Sequence, residues 1–135
     1  MIGLPTLSSL DQSASRIWLA AQPADMRCGF DRLAELAGVV TGQDPLSGHL
    51  FLFRGRGGDR IKILYWDKDG WALWYKRLEE GTFKLPRIEP GQSSIELRPS
   101  ELAMMLDGID LRSVRRVKRF SRGFDKLTAE KKVNA

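Results

Sequence analysis

Residues 49–78 form three strand-like segments separated by two glycine-containing turns, and this pattern constrains the fold more than any other feature of the chain. The segments 49–54, 60–66 and 71–78 are dominated by aliphatic and aromatic side chains, which favour β-strands. The second turn, residues 67–70, places Asp-Gly between apolar runs, a strong short-range hairpin signal. We therefore predict an antiparallel meander of three strands.

Pairing across the second turn assigns the side chains to two faces, provided that the turn contains two or four loop residues. Neither face is cleanly polar, so helices or a partner must cover much of both. The first face would carry Lys62, Leu64, Trp66, Trp71, Leu73, Tyr75 and Arg77, and the second Ile61, Ile63, Tyr65, Ala72, Trp74 and Lys76.

A strand and a helix are predicted before the meander. Arg16–Ala20 is a short strand candidate. Apolar residues then recur at helical spacing from Met26 to Val40, and polar residues occupy the other side. We expect Asp25 to cap this helix and Gly42 to end it.

Shorter elements are predicted after the meander. Residues 82–85 read as a short edge strand that ends at Pro86, and 95–98 as one further strand. Pro99 suits the first turn of a short helix that ends at Gly108. The predicted fold class is α+β: a small antiparallel sheet of four to five strands, packed with one longer N-terminal helix and a short C-terminal helix.

The basic residues are concentrated at the C-terminal end of the chain. Residues 112–135 contain nine Lys or Arg and two acidic residues, a net charge of +7, whereas residues 1–111 carry a net charge of −2. Clustered cations gain affinity for polyanions by releasing counterions from phosphates. We predict a flexible leader over 1–15, a single α+β domain over 16–111, and a basic tail over 112–135 that is flexible or helical; a merely solvated tail is the alternative.

Composition excludes several classes of protein. No run approaches the ~20 apolar residues that a membrane helix needs, and the N-terminus lacks the features of a secretory signal. Cys28 is the one cysteine, so no intramolecular disulfide can form. We expect a cytoplasmic protein without a membrane partner, and no cofactor.

A series of motifs lies at residues 25–31, 44–62, 74–79, 102–104 and 108–110. Through these motifs the chain resembles the TnpB-type accessory proteins of bacterial insertion sequences of the IS66 family, which share only a label with RNA-guided nucleases. The resemblance covers roughly residues 16–111. It implies a protein that is encoded beside a separate, larger transposase and assists transposition without supplying the strand-transfer chemistry. The other proteins of the element, including the transposase, would be its partners.

The glycine-rich turn between the first two strands of the meander is the candidate phosphate site. Arg54, Arg56 and Arg60 surround glycines that allow a ligand to approach the backbone, and guanidinium groups match phosphate oxygens bidentately. The alternative is an ordinary turn with solvated arginines. The predicted nucleic-acid-binding residues are Arg54, Arg56, Arg60, Lys62, Lys76, Arg77 and, in the tail, Arg112, Arg115, Arg116, Lys118, Arg119 and Arg122.

Three aromatic residues of the first face allow two interpretations. Trp66, Trp71 and Tyr75 could stack the bases of single-stranded DNA. However, aromatic residues in the middle of a sheet more often form core, and the predicted helix needs a surface to pack on. We favour core.

Catalysis is the least favoured function. A transposase-type site needs about three convergent carboxylates that bind Mg²⁺, whereas most acidic residues here suit caps and turns. Asp59 with Lys62 only partly matches a nuclease arrangement, and a Cys28–His49 nucleophilic pair is formally possible. One His and one Cys cannot build the usual four-ligand structural zinc site or a three-ligand catalytic one within a single chain. We expect a non-catalytic accessory factor that contacts DNA at the element's ends, with a protein–protein adaptor of the transposase as the alternative and a metal-dependent nuclease third; the oligomeric state stays open.

Overall fold

The computed structural model describes residues 15–108, which form a five-stranded sheet with a helix packed on each face. The strand order is β4-β3-β2-β1-β5. Apart from Ser15, the expected leader and the basic tail lie outside the described residues. The elements are β1 (Ile17–Ala20), α1 (Phe30–Thr41), a 3₁₀ turn (Pro45–Ser47), β2 (Leu50–Arg54), β3 (Arg60–Asp67), β4 (Gly70–Arg77), β5 (Ser94–Leu97) and α2 (Pro99–Leu106).

The predicted meander is confirmed: β2, β3 and β4 are consecutive antiparallel neighbours. The pair Asp67–Gly70 closes a turn of two loop residues, and Lys68 adopts a φ of 60° there. The register places Trp66 opposite Trp71, which confirms the assignment of side chains to the two faces.

The prediction of a purely antiparallel sheet is wrong, because β1 pairs with β2 in parallel. The chain leaves β1, forms α1 and the 3₁₀ turn, and re-enters the sheet beside β1 in the same direction. A crossover of this kind produces a parallel pair, whereas tight turns produce antiparallel ones. The longer helix therefore follows the first strand and is not the N-terminal element. β5 pairs antiparallel with the other side of β1.

The first turn of α1 differs from the prediction. The helix begins at Phe30, and Gly29, which has no side chain, occupies the cap position. The carboxylate of Asp25 instead accepts hydrogen bonds from the backbone and side chain of Arg27, so it is not a helix cap. The helix ends at Gly42 as predicted, where a φ of 69° stops the helical backbone.

The C-terminal part contains one error and two confirmed elements. Residues 82–85 do not form a strand: the Phe83 side chain is buried, and its N–H donates to the Gly58 carbonyl at 2.8 Å instead of joining a strand ladder. The strand near 95–98 and the short helix after it are confirmed. The carboxylate of Glu101 accepts from the Arg98 N–H at 2.8 Å and stabilises the start of α2.

Two hydrophobic clusters cover the two faces of the sheet, as the mixed patterning requires. No helix among residues 15–108 is long and apolar enough to cross a membrane. The α1 cluster contains Ala20, Ala24, Leu33, Ala37, Phe51, Phe53 and Leu64. The α2 cluster contains Ile17, Leu19, Leu50, Leu52, Ile61, Ile63, Tyr65, Phe83, Leu97, Leu102 and Met105.

Candidate nucleic-acid interface

Several arginines gather at one end of the sheet because of how the strands run. β2 ends at Arg54, β3 begins at Arg60, and β4 ends at Arg77. The register places Arg60 directly opposite Arg77. We call residues 54–60 the arginine loop; it brings Arg54, Arg56 and Arg60 of the predicted set together beside Arg77.

Backbone hydrogen bonds fix the arginine loop. The Gly55 N–H donates to the Arg60 carbonyl at 2.9 Å, and the Gly58 N–H donates to the Gly55 carbonyl at 3.1 Å. From outside the loop, the Ala24 N–H donates to the Arg54 carbonyl at 2.8 Å, and Phe83 bonds Gly58 as described above. A loop held in this way keeps its backbone in a defined arrangement, which lowers the backbone entropy lost when a ligand binds.

Two of the loop glycines are required by its geometry. A Cβ on Gly55 would lie 2.8 Å from the Met26 Cγ, closer than side chains pack. Gly58 has a φ of 82°, and a Cβ there would lie 3.3 Å from the Thr82 Cγ2. The glycines therefore admit the neighbouring segments that hold the loop.

Arg54 is turned towards the protein. Its Nη2 donates to the Ala21 carbonyl at 2.8 Å, and its Nε is buried without a hydrogen-bond partner among the described residues. Arg54 thus has a structural contact besides any ligand it binds. It lines an open groove of about 660 Å³ together with Ala21, Gln22, Gly57, Gly58, Thr82, Phe83, Lys84, Leu85, Ile88, Glu89, Pro90, Gly91 and Gln92.

Arg56 and Arg60 line a second cavity, a hollow of about 420 Å³. Arg56 is exposed and makes no ion pair within residues 15–108. The Arg60 Nη1 donates only a long bond, 3.4 Å, to the Tyr75 hydroxyl. Most donors of these two guanidinium groups are therefore available to an anion. Asp25 and Asp59 also line the hollow, so its charge is mixed.

Arg27 neutralises one of those carboxylates. Its Nη2 lies 2.7 Å from the Asp25 Oδ2. The hydrogen bonds from the Arg27 side chain and backbone hold the pKa of Asp25 well below its usual range, and the charge of Arg56 lowers it further. The side chain of Arg27 is 91% exposed, and it was missing from the predicted set. The Asp-x-Arg spacing is the signal in the sequence that could have identified it.

Lys62 is inside the protein, unlike the other basic residues of the described part of the predicted set. The residue is 6% exposed. Its Nζ donates to the carbonyls of Met26, at 2.8 Å, and Cys28, at 2.7 Å, and lies 4.7 Å from the centre of the Tyr75 ring. These contacts hold the segment before α1 against β3, so Lys62 has a structural role.

Lys76 and Arg77 end β4 with their side chains on opposite faces of the sheet. Lys76 is exposed and makes no ion pair with a described residue. The Arg77 guanidinium donates to the Glu79 carboxylate at 3.2 and 2.9 Å, and these hydrogen bonds raise the pKa of Arg77. Lys76 is therefore the freer cation of the two.

The aromatic face is mostly core. Trp71 packs against the α1 cluster and contacts Trp66 edge to face, with 5.1 Å between ring centres. Tyr75 is 47% exposed. The structure supports the core interpretation for Trp71, whereas Trp66 is half-buried outside the two clusters and Tyr75 is exposed.

The comparison with known families decides the classification. A family model described as "IS66 Orf2 like protein" matches residues 15–116. The chain belongs to the IS66 Orf2-like family. This confirms the resemblance found in the sequence and associates the protein with insertion sequences.

Two relatives of the IS66 Orf2-like chain come from Sinorhizobium fredii. The uncharacterized protein y4hO is 43% identical over 97 residues, which cover 72% of this chain and 83% of y4hO. The uncharacterized protein y4jC is 38% identical over 101 residues, covering 75% of this chain and 85% of y4jC. No solved structure matches the chain. The residues matched by the family model contain the arginine loop, whereas residues 117–135 of the basic tail lie beyond the match.

Other chemistry is less well supported in the IS66 Orf2-like chain. Among residues 15–108, no group of three or more His, Cys, Asp or Glu side chains is arranged to hold a metal ion. Asp44 caps the 3₁₀ turn through the Leu46 N–H, as its place before Pro45 predicts. Cys28 lies beside Lys62, level with Phe53. His49 precedes β2, and its ring lies 6.4 Å from that of Phe51.

Proposed function

We propose that this protein is a non-catalytic accessory factor of insertion-sequence transposition, which contacts DNA phosphates through the arginine loop and the basic tail. Membership of the IS66 Orf2-like family supports the context. The observation that supports the DNA contact is the pair Arg56 and Arg60, which line the same hollow. Neither guanidinium group forms an ion pair with any residue in the range 15–108.

The expected contact is electrostatic and independent of base sequence. Arg56 and Arg60 offer planar forks that fit phosphate oxygens, and the fixed loop backbone holds their Cα positions in place. Asp59 and the neutralised Asp25 keep this surface from being a strong cationic patch by itself. The tail, with its net charge of +7, would supply most of the phosphate contacts.

A fluorescence-anisotropy titration tests this function, with duplexes carrying the element's terminal repeats and with an unrelated duplex. Each phosphate contact that is lost should reduce the slope of log K against log salt by about 0.9. Replacing both Arg56 and Arg60 with alanine should therefore reduce the slope by about two. Arg32→Ala is the matched control, because Arg32 is an exposed arginine on α1 outside the hollow.

Deletion of residues 112–135 should reduce the slope further than the loop variant does, since nine of the chain's 22 cations lie there. Negligible affinity of the full chain for every duplex at low salt would eliminate the DNA-contact proposal. A loop variant that binds as the full chain does, beside a tail deletion that does not, would restrict the contact to the tail.

The alternative function, a protein–protein adaptor of the transposase, has less support. An adaptor could dock on the apolar sheet face, but α1 packs over that face at Trp71 and Leu73. Co-purification with the transposase from nuclease-treated extract would still favour it. A nuclease would require metal-dependent nicking that is lost on mutation of Asp59 or Asp67.

A further inference from the structure

The outer side of β4 is an open sheet edge. No strand among residues 15–108 pairs with it. The Leu78 N–H donates to the Asp59 carbonyl at 2.7 Å, and this bond fixes which residues of the strand bond to β3. In an antiparallel pair the peptide N–H and C=O groups of every second residue bond to the neighbouring strand. Counting from Leu78, the residues of β4 that bond to β3 are therefore Lys76, Trp74 and Ala72. The peptide groups of Trp71, Leu73 and Tyr75 therefore point outward, as an unused set of donors and acceptors.

The composition of β4 does not suit an edge exposed to water. Trp71, Leu73 and Trp74 pack against the two clusters but remain only half-buried. Tyr75 is exposed, and none of the eight residues of the strand is buried. β3 has the same length and buries five. Edge strands are usually protected by prolines, charges or shortness, and β4 has charged side chains only at its C-terminal end. An additional strand would cover both its backbone and its aromatic side chains.

The two ends of β4 carry complementary charges. Asp67 and Asp69, with Lys68 between them, form the turn at its start, and Lys76 and Arg77 form its end. An antiparallel copy of the same strand would bring the acidic turn of one chain to the basic end of the other. A second antiparallel copy would thus offer Arg77 the carboxylate of Asp69, beside that of Glu79 in its own chain.

We propose that β4 pairs with β4 of a second copy of the chain, antiparallel about a twofold axis at Leu73, so that two sheets become one. Because outward-pointing residues pair with each other, this register places Trp71 opposite Tyr75 of the second copy and Asp69 opposite Arg77 of the second copy. It forms about six main-chain hydrogen bonds between residues 71 and 75 of the two chains. It also covers Tyr75, which is 47% exposed in the single chain.

Charge exchange tests the register directly. Asp69→Lys places two cations opposite each other, and Arg77→Asp places two anions opposite each other; both residues are exposed, so the fold of each chain is retained. Sedimentation velocity of the full chain without DNA should give a dimer for the wild type and a dissociation constant raised about tenfold for each single variant, because the twofold repeats every clash. The double variant should return to the wild-type value. Glu79 also pairs with Arg77, so Glu79→Gln is the control for loss of that ion pair alone, and it should leave dimerisation unweakened.

Hydrogen exchange supplies a readout that does not depend on these charges. The amides of Ala72 and Trp74 should be protected at every protein concentration, because they bond to β3. Those of Leu73 and Tyr75 should gain protection only at concentrations where the dimer forms. A wild-type chain that stays monomeric, single variants that dimerise normally, a double variant that is not rescued, or Leu73 and Tyr75 amides indifferent to concentration would each overturn this pairing.

Discussion

Replacing Lys62 with methionine should destabilise the protein without directly weakening its contact with DNA. Methionine keeps most of the apolar stem but removes the ammonium, which donates to the carbonyls of Met26 and Cys28 at 2.8 and 2.7 Å. Hydrogen bonds to charged groups contribute about 1.5–3 kcal/mol each, so their combined gross loss is about 3–6 kcal/mol. Relief of the ammonium's desolvation offsets several kcal/mol of this.

The net loss in the free energy of unfolding should be about 1–3 kcal/mol. For a domain of this size it corresponds to a fall in Tm of roughly 5–15 °C. Urea unfolding followed by tryptophan fluorescence, at one protein concentration, measures the first quantity. Lys76→Met is the matched control: this exposed lysine lies on the adjacent strand opposite Ile61, and its loss should change stability by less than about 0.5 kcal/mol.

Two results would contradict a structural role for the Lys62 ammonium. If Lys62→Met were as stable as the wild type, the buried ammonium would not be fastening residues 26–28 to the sheet. If it were stable but bound DNA with a reduced salt slope, the ammonium would be a phosphate contact, as its place among the basic residues of the sequence predicts.

Three further outcomes are expected. Gly58→Ala should cost about 1–2 kcal/mol of unfolding free energy, because alanine is strained at a φ of 82° and its Cβ would crowd Thr82; a cost below about 0.5 kcal/mol in urea unfolding would argue against a fixed loop. Trp71→Ala should cost about 2–4 kcal/mol as a core truncation, whereas unchanged stability with weaker binding of single-stranded DNA would restore the base-stacking interpretation. NMR titration should find the pKa of Glu96 below that of a model peptide, because the Arg16 fork donates to its carboxylate at 2.8 and 2.7 Å. Because the pKa of Glu96 is lower in the folded state, the ion pair stabilises the fold above about pH 4.3, the ordinary pKa of a glutamate. This stabilisation is lost as the pH falls through the lower pKa of the folded state. Arg16→Ala should return the pKa of Glu96 to its usual range.

The local pairings of the meander were readable from the sequence, because they depend on turn chemistry and alternation over short distances. The Asp-Gly turn and the period of two together determine that Trp66 lies opposite Trp71. Gly42 and Pro99 likewise act on the backbone at their own positions, and both helix boundaries that depend on them were predicted.

Features that depend on distant partners were not readable. The order strand, helix, strand does not determine whether the second strand pairs with the first. The parallel pairing of β1 with β2 could therefore not be predicted from the sequence. Asp25 is a residue type that often caps helices, but its carboxylate accepts a hydrogen bond from the Arg27 guanidinium instead. At the candidate site the arginine loop was predicted, whereas the burial of Lys62 depends on carbonyls 34 and 36 residues away.

The position of β1 between β2 and β5 has a consequence for the order of assembly. The hairpin partners of the meander emerge from the ribosome close together, but β1 is synthesised first and bonds on one side to β5, so that Arg16 and Glu96 meet across 80 residues. Pairing over such a separation carries the largest loop-closure cost in this topology. We therefore expect a preformed meander to accept β1 first, and β5 to complete the sheet as the last and slowest step.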